Sequence, residues 1–264
     1  MENRKTALIT GASRGIGLEL AALFAKNGND LVLVARSEND LRVLKRVYEE
    51  HTGMNVEIMV KDLTQKDAAK EVFDEINRKN IQIDYLINNA GFGDFAPFAD
   101  SEWDKIYQMM ELNMGALTQF CHLYINQWRE KKVEGKILNV ASTAAFQPGP
   151  LMAVYFATKA YVLHLSEALN FEEKENNISV TALCPGPTET NFGKISNMSA
   201  SDVMNNVRIA SAKDVAKTGY EAFMKNKSFV IEGFMNRLVA SSIGFLPRDL
   251  VTYFSGKIMK QSGK

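Results

Sequence analysis

The sequence predicts an α/β fold: a doubly wound parallel β-sheet with helices on both faces, built as a single domain over residues 1–264. Three observations predict it. Short apolar runs recur along the chain with no polar alternation, as strands buried on both faces require. Longer stretches of helical spacing separate them, and that alternation is the pattern of right-handed β-α-β crossovers. No Pro/Gly-rich linker, internal repeat or low-complexity segment divides the 264 residues.

In chain order, residues 6–10 (TALIT) form the first buried strand, and a glycine turn leads to a helix over about 16–27. The next strand is 30–35. A helix over about 38–50 follows, with Leu41, Leu44, Val47 and Tyr48 at helical spacing. Residues 56–60 are a strand and about 66–78 a helix. A strand at 83–87 then precedes a long helix over about 101–129. Residues 136–140, 153–174 and 178–183 complete the pattern as strand, helix and strand.

Composition bounds the function. Hydrophobic residues make up 46 % of the chain, enough for a large core. Thirty-one basic and 31 acidic residues cancel, so bulk charge gives no reason to expect a nucleic acid or an anionic surface as partner. The two cysteines, Cys121 and Cys184, are too few and too far apart for a disulfide framework or a zinc site, and no metal is expected. Residues 1–5 lead into the first strand with neither a long apolar region nor a small-residue cleavage site. No apolar run is long enough to span a bilayer. The cytoplasm is the expected compartment.

The first strand ends in Thr10-Gly11-Ala12-Ser13-Arg14-Gly15-Ile16-Gly17. Strand, tight glycine turn and helix start are the context of a dinucleotide site. Gly11 permits the turn, Gly15 lets backbone approach a pyrophosphate, and Gly17 permits close helix–strand packing. The N–H groups and dipole of the helix start then bind the anion.

This octet resembles the T-G-x-x-x-G-x-G fingerprint of the short-chain dehydrogenase/reductase family, whose sheet is of Rossmann type. Further landmarks follow in the family's order: Asn88-Asn89-Ala90-Gly91, Asn113, Ser142, Tyr155-Phe-Ala-Thr-Lys159 and Pro185-Gly186. The resemblance spans residues 5–190. It implies hydride transfer between a nicotinamide cofactor and a carbonyl or secondary alcohol.

Cofactor preference is read after the second strand, where a carboxylate would favour NAD. Arg36 stands there instead, a fixed-charge fork suited to a 2′-phosphate, and Arg14 could reach the same group. The pair resembles the NADP(H)-preferring pattern, although Glu38 and Asp40 lie nearby. The resemblance also implies that Asp62 and Leu63 contact adenine, that Asn89, Ala90 and Gly91 line the riboses, and that Pro185, Gly186 and Thr188 meet the nicotinamide. Asn88 and Asn89 also suit ordinary turn capping.

The chemistry needs a proton donor for the oxygen left by hydride transfer. Tyr155 and Lys159 lie four apart on a helix, so they share a face. An ammonium there lowers a phenol's pKa. Tyr253 and Lys257 repeat the spacing, but Gly256 falls between them and no strand-borne serine precedes them; they read as structural or surface residues. The resemblance makes Tyr155 the acid/base and gives Lys159 the nicotinamide ribose. It sets Ser142 on the substrate oxygen, and has Asn113 distort its helix and hold a water that links Lys159 to solvent.

Substrate choice is expected in 92–98, 143–152 and 189–204, which carry Phe92, Phe95, Phe146, Leu151, Met152, Phe192 and Met198; an apolar or amphipathic carbonyl or alcohol suits them. Residues 189–204 read as a lid. The extension over 234–264 is rich in apolar residues, and packing or association ranks ahead of membrane contact because its basic residues are few. The two long helices, with Trp103, Met110, Leu117, Phe120, Tyr161 and Leu165, resemble those that pair subunits in the family, so a homodimer or homotetramer is expected. The alternatives are a 3-oxoacyl-thioester reductase and a non-catalytic NADP(H)-binding sensor. An epimerase of the family's extended branch fits less well, because its glycine turn reads G-x-x-G-x-x-G.

Overall fold

The computed structural model describes residues 4–190, 192–196 and 209–261. The chain runs β1 (Thr6–Thr10), α1 (Gly15–Lys26), β2 (Asp30–Ala35), α2 (Glu38–Thr52), β3 (Val56–Val60), α3 (Ala68–Arg78) and β4 (Tyr85–Asn88). It continues through α4 (Trp103–Met110), a π-helical segment (Glu111–Ala116), α5 (Leu117–Lys131), β5 (Gly135–Val140), α6 (Ala153–Glu172) and β6 (Ile178–Cys184). After β6 come β7 (Thr188–Glu189), α7 (Phe192–Ile195), β8 (Ala210–Ser211), α8 (Ala212–Met224), β9 (Phe229–Ile231), α9 (Phe234–Ile243) and α10 (Arg248–Gln261).

Seven parallel strands form the central sheet in the order β3-β2-β1-β4-β5-β6-β9. From β1 the chain builds outward to β3, then crosses back to β4 on the other side of β1. The carboxyl ends of β1 and β4 therefore flank a switch point, where loops diverge and leave a crevice. Successive strand residues alternate between faces. Ala7, Ile9, Leu31 and Leu33 pack with Leu20 and Phe24 of α1, Leu41 and Tyr48 of α2, and Val215 and Phe223 of α8. Leu8, Val32, Val34 and Leu86 pack against Val72 and Ile76 of α3, Phe120 and Tyr124 of α5, and Val162 of α6. This gives the expected helix–sheet–helix sandwich.

Local chemistry fixes the element ends. The Ser37 Oγ accepts the Asp40 N–H at 3.4 Å at the start of α2, Glu38 and Asp40 place negative charge in its first turn, and Gly53 closes it at φ 65°. β4 starts at Tyr85, two residues later than its apolar run suggests, because the Ile83 carbonyl accepts the Trp128 Nε1–H at 2.7 Å. The predicted long helix over 101–129 is divided into α4, the π-helical segment and α5. The small β7–β8 ladder and β9 are absent from the sequence reading; they are two or three residues long, too short to leave a period.

Cys121 and Cys184 are free and buried, and burial pushes both thiols up to about 12, as suits inert core residues. Among the described residues no helix is long and apolar enough to cross a membrane.

Candidate active site

The parallel sheet sends the loops after β1, β4, β5 and β6 to one edge, and every motif singled out above except Asn113 and the Tyr155–Lys159 pair lies on the carboxyl end of a strand. Gly11 and Gly15 adopt φ +64° and +56°, the left-handed region that favours glycine. A Cβ on Gly17 would stand 2.3 Å from the Gly11 carbonyl oxygen and 2.4 Å from the Asn89 Nδ2, so α1 meets the turn with no room for a side chain. Gly15 packs under Thr190, whose Cγ2 would lie 3.0 Å from an added Cβ. Ser13 and Ile16 are half-buried and Arg14 is exposed. The result is a cradle of backbone at a helix start, a fit for a pyrophosphate group.

Thr10 and Asn89 lock this cradle to β4. The Thr10 Oγ1 accepts the N–H groups of Asn89 and Ala90 at 3.0 and 3.1 Å, and the Asn89 Nδ2 donates to the Thr10 and Gly11 carbonyls. Asn88 points the other way. Its Nδ2 donates to the Asn139 Oδ1 at 2.9 Å, and the Asn139 Nδ2 donates to the Ser166 Oγ of α6 at 3.0 Å. The adjacent asparagines thus do different work: Asn89 shapes the turn, and Asn88 ties β4 and β5 to α6.

Around the adenosine end, Arg36 is exposed at the close of β2 and makes no ion pair among the described residues. Arg14 is engaged: its guanidinium lies 3.1 Å from Asp40. The sequence reading gave both arginines to one phosphate; Arg36 is open to a ligand, and Arg14, itself exposed, pairs with Asp40 at the surface. Asp62 is half-buried, with its Oδ1 accepting from the Thr64 N–H and Oγ1, and Leu63 is buried.

Asn113 sits in the π-helical segment, the distortion its resemblance implies. Its Oδ1 accepts the Phe92 N–H at 3.1 Å, and its Nδ2 donates to the Phe92 carbonyl and to the Thr158 Oγ1. Thr158 donates in turn to the Tyr155 carbonyl at 2.7 Å, joining the wide turn to α6. A Cβ on Gly91 would sit 3.0 Å from the Asn113 Oδ1 and 3.5 Å from the Lys159 Nζ, so glycine keeps the space between them open.

Ser142 follows β5; its Oγ accepts the Ala144 N–H at 3.1 Å and faces the Pro185 carbonyl at 3.5 Å. It also stands close enough to Tyr155 to lower its phenol. Lys159 is buried, donates to the Val140 carbonyl at 2.8 Å, and holds its Nζ 5.8 Å from the centre of the Tyr155 ring. Burial pushes the Tyr155 phenol up to about 12 against the lowering effect of Ser142. Burial also brings the Lys159 ammonium down to about 8. The sequence reading had the lysine lower the phenol. In the structure burial raises the phenol, and the ammonium is directed to a backbone carbonyl and the ring face. Tyr253 and Lys257, the same spacing on α10, are both exposed.

After β6, Pro185 is buried, its carbonyl accepts the Thr143 N–H at 2.9 Å, and the Thr188 Oγ1 donates back to the Gly186 carbonyl. Two residues here were missed from sequence. Thr190 covers Gly15, and Asn236 of α9 lies against Gly186, its Nδ2 2.4 Å from where a Cβ would stand. The signal for Thr190 was its place two residues beyond Thr188; nothing local marked Asn236.

An apolar wall faces Tyr155. Met152 and Phe156 are buried with it, and Phe92, Phe95, Phe192 and Met259 pack around them. Phe192 stands 5.2 Å from Tyr155, centre to centre. Leu151 adopts φ +66°, a strained conformation for a leucine, with its carbonyl accepting the Ala96 N–H at 2.9 Å. Phe146 packs instead against the main core. Met198 and most of the expected lid, 191 and 197–204, lie outside the described residues.

The comparisons agree with this geometry. The family model described as short chain dehydrogenase matches residues 5–200. An Arabidopsis thaliana protein named 11-beta-hydroxysteroid dehydrogenase-like 3 is 34 % identical over 195 residues, covering 72 % of this chain; the match spans 60 % of that relative's length. A short-chain dehydrogenase from Sphingobium yanoikuyae in complex with NADPH superposes with a TM-score of 0.81 at 30 % identity, over 91 % of this chain and 94 % of its own. A bulky-bulky ketone specific alcohol dehydrogenase from Comamonas testosteroni superposes with a TM-score of 0.78 at 30 % identity, over 92 % and 94 %. With its glycine cradle at the switch point and its tyrosine and lysine together on α6, the chain belongs to the short-chain dehydrogenase/reductase family of oxidoreductases.

Proposed function

We propose that this protein interconverts an apolar or amphipathic carbonyl compound and its alcohol with NADP(H), and that Tyr155 is the acid/base. The observation that carries the reading is the buried cluster itself. Tyr155 is buried close to Ser142 and backed by the Lys159 ammonium, beside a wall of Met152, Phe92, Phe95 and Phe192.

The nicotinamide cofactor, when bound, supplies or takes up the hydride. The chain's own groups do the rest. Ser142 Oγ and Tyr155 Oη hold the substrate oxygen by hydrogen bonds, and the phenol gives that oxygen its proton in the reductive direction. A phenol raised to about 12 is protonated at neutral pH and ready to donate. Lys159 fixes a positive charge behind it, which stabilises phenolate once the proton has left. The opening kept by Gly91 between Asn113 and Lys159 is suited to a water that returns the proton from solvent. The aromatic and methionine side chains exclude bulk water and favour an apolar substrate.

Gly11, Ser13, Gly15, Ile16 and Gly17 would cradle the pyrophosphate. Asp62, Leu63, Asn89, Ala90 and Gly91 would line the adenosine and ribose path, and Pro185, Gly186 and Thr188 the nicotinamide. Arg36, exposed and unpaired among the described residues, supports NADP(H) over NAD(H), as does the NADPH carried by the Sphingobium relative. Exposed Trp103 and Tyr107 on α4 and Tyr161 on α6 support association between copies. The names of the relatives support bulky ketones and hydroxysteroids as first substrates to try.

The test is NADPH consumption with a panel of bulky ketones, aldehydes, ketosteroids and 3-oxoacyl thioesters, wild type beside Tyr155→Phe. Turnover that disappears in the variant while NADPH still binds supports the assignment. Equal turnover by both proteins rules it out, and NADPH binding with no turnover on the whole panel favours a binding-only protein.

A further inference from the structure

The C-terminal helices put their apolar residues on the outside. On α10 the inward face is small: Val251 and Ser255 are buried, the Ser255 Oγ donates to the Pro148 carbonyl at 2.7 Å, and Gly256 lies against Pro150. The other side of the same helix carries Tyr253 and Phe254 into solvent. In α9 no residue is fully buried, and Phe234, Met235 and Leu238 are exposed. The helices are joined by Gly244-Phe245-Leu246-Pro247, where Phe245 is 89 % exposed, the highest value among the exposed large hydrophobic residues. Both helices and their turn thus expose large apolar side chains, which water disfavours unless something covers them.

Charge says what covers them. Over 234–261 the chain has Arg237, Arg248, Lys257 and Lys260 against Asp249, a net +3 in a protein of zero overall charge. Arg237, Arg248 and Lys257 are exposed and form no ion pair among the described residues. A second copy laid symmetrically on this face would set one net-positive segment against another, which is repulsive. An anionic lipid surface meets both properties at once: headgroups attract the bases, and the hairpin tip enters the acyl boundary.

We propose that the α9–α10 hairpin docks this protein on anionic bilayers, with Phe245 and Leu246 inserted and the three cations on headgroups. The basic residues are few, but they share a short segment with the exposed apolar residues, and an anionic surface is a target common to both. The hairpin's inner side also bears on the candidate site: Met259 packs with Met152 and Tyr155, and Ser255 and Gly256 hold the 148–150 loop. Docking there would bring the substrate wall close to the phase in which an apolar substrate dissolves.

The full chain would be tested by flotation with vesicles of phosphatidylcholine alone and of equal parts phosphatidylcholine and phosphatidylglycerol, with its mass in solution measured in parallel. The expected result is flotation with the anionic vesicles only, reversed by high salt. Binding should fall on the order of a hundredfold in the Arg237→Gln, Arg248→Gln, Lys257→Gln triple variant. Phe245→Ser should lose most of the binding with no change in melting temperature, and Phe245→Trp should emit at shorter wavelength once anionic vesicles are added. Failure to float with either vesicle overturns the proposal. So does a halving of solution mass in Phe245→Ser, which would assign the face to a second copy. None of these readouts depends on turnover, so they stand or fall apart from the proposed reaction.

Discussion

At the carboxyl edge of the sheet, a lysine, an asparagine and a tyrosine are nearly inaccessible to solvent. In α9, α10 and the turn between them, phenylalanines are exposed, Phe245 of the turn almost fully. Each region inverts the usual rule of polar outside and apolar inside. The buried polar groups are tolerated because they have partners: Lys159 on the Val140 carbonyl, Asn113 on Phe92 and Thr158. Among the described residues, the exposed aromatic groups are left facing water. The polar groups of the first region are therefore satisfied within the chain, whereas the apolar residues of the second face solvent.

Substitutions can break or sharpen this contrast. The largest effect is expected for Tyr155→Phe, which should lower turnover by about 10²–10⁴-fold with NADPH affinity kept; a parallel loss of NADPH binding would mean the ring is structural. Gly17→Ala forces a methyl to 2.3 Å from the Gly11 oxygen. It should cost about 1–3 kcal/mol in urea unfolding and abolish NADPH binding, and an unchanged midpoint would refute the close packing.

The buried amine makes a pH-dependent prediction. The folded pKa of Lys159, about 8, lies below its ordinary 10.5, so the unfolded chain holds the proton more tightly. The stability linked to this group is thus lost as pH falls through 8 and regained as pH rises from 8 toward 10.5. Relative to Lys159→Met, wild type should gain on the order of 2–3 kcal/mol between pH 7 and pH 10. A constant difference would show that the lysine is not desolvated.

Arg36→Ala should weaken NADPH binding by about tenfold to a hundredfold and leave NADH binding unchanged. Equal losses for both cofactors would remove Arg36 from the 2′-phosphate. The smallest effect belongs to the hairpin: Phe245→Ser should shift stability by no more than about 0.5 kcal/mol. A loss of several times that would make the aromatic ring part of the core and erase the contrast.

Much of the first region was legible in the sequence because local rules write it. Gly11 and Gly15 mark the positive-φ turn, apolar runs mark buried strands, and four-residue spacing puts Tyr155 and Lys159 on one face. The motif order also located Asn113, though its π-helical turn is held by the Phe92 backbone and by Thr158, 45 positions away. The Arg14–Asp40 pair was visible only as proximity, since sequence does not choose which partner a flexible guanidinium takes.

By itself, the sequence determined the strand–helix alternation, the glycine cradle, the family and the residues of the proposed reaction, because each depends on periodicity or on conformations that few residue types can adopt. Tertiary structure decided the rest. It set the pKa directions of Tyr155 and Lys159, because desolvation depends on what is packed around a group and not on its neighbours in the chain. It brought Asn236 to Gly186 and Thr190 to Gly15. It also turned the apolar face of α9 and α10 outward, because a helix's hydrophobic stripe does not specify whether the core or something outside the chain will cover it.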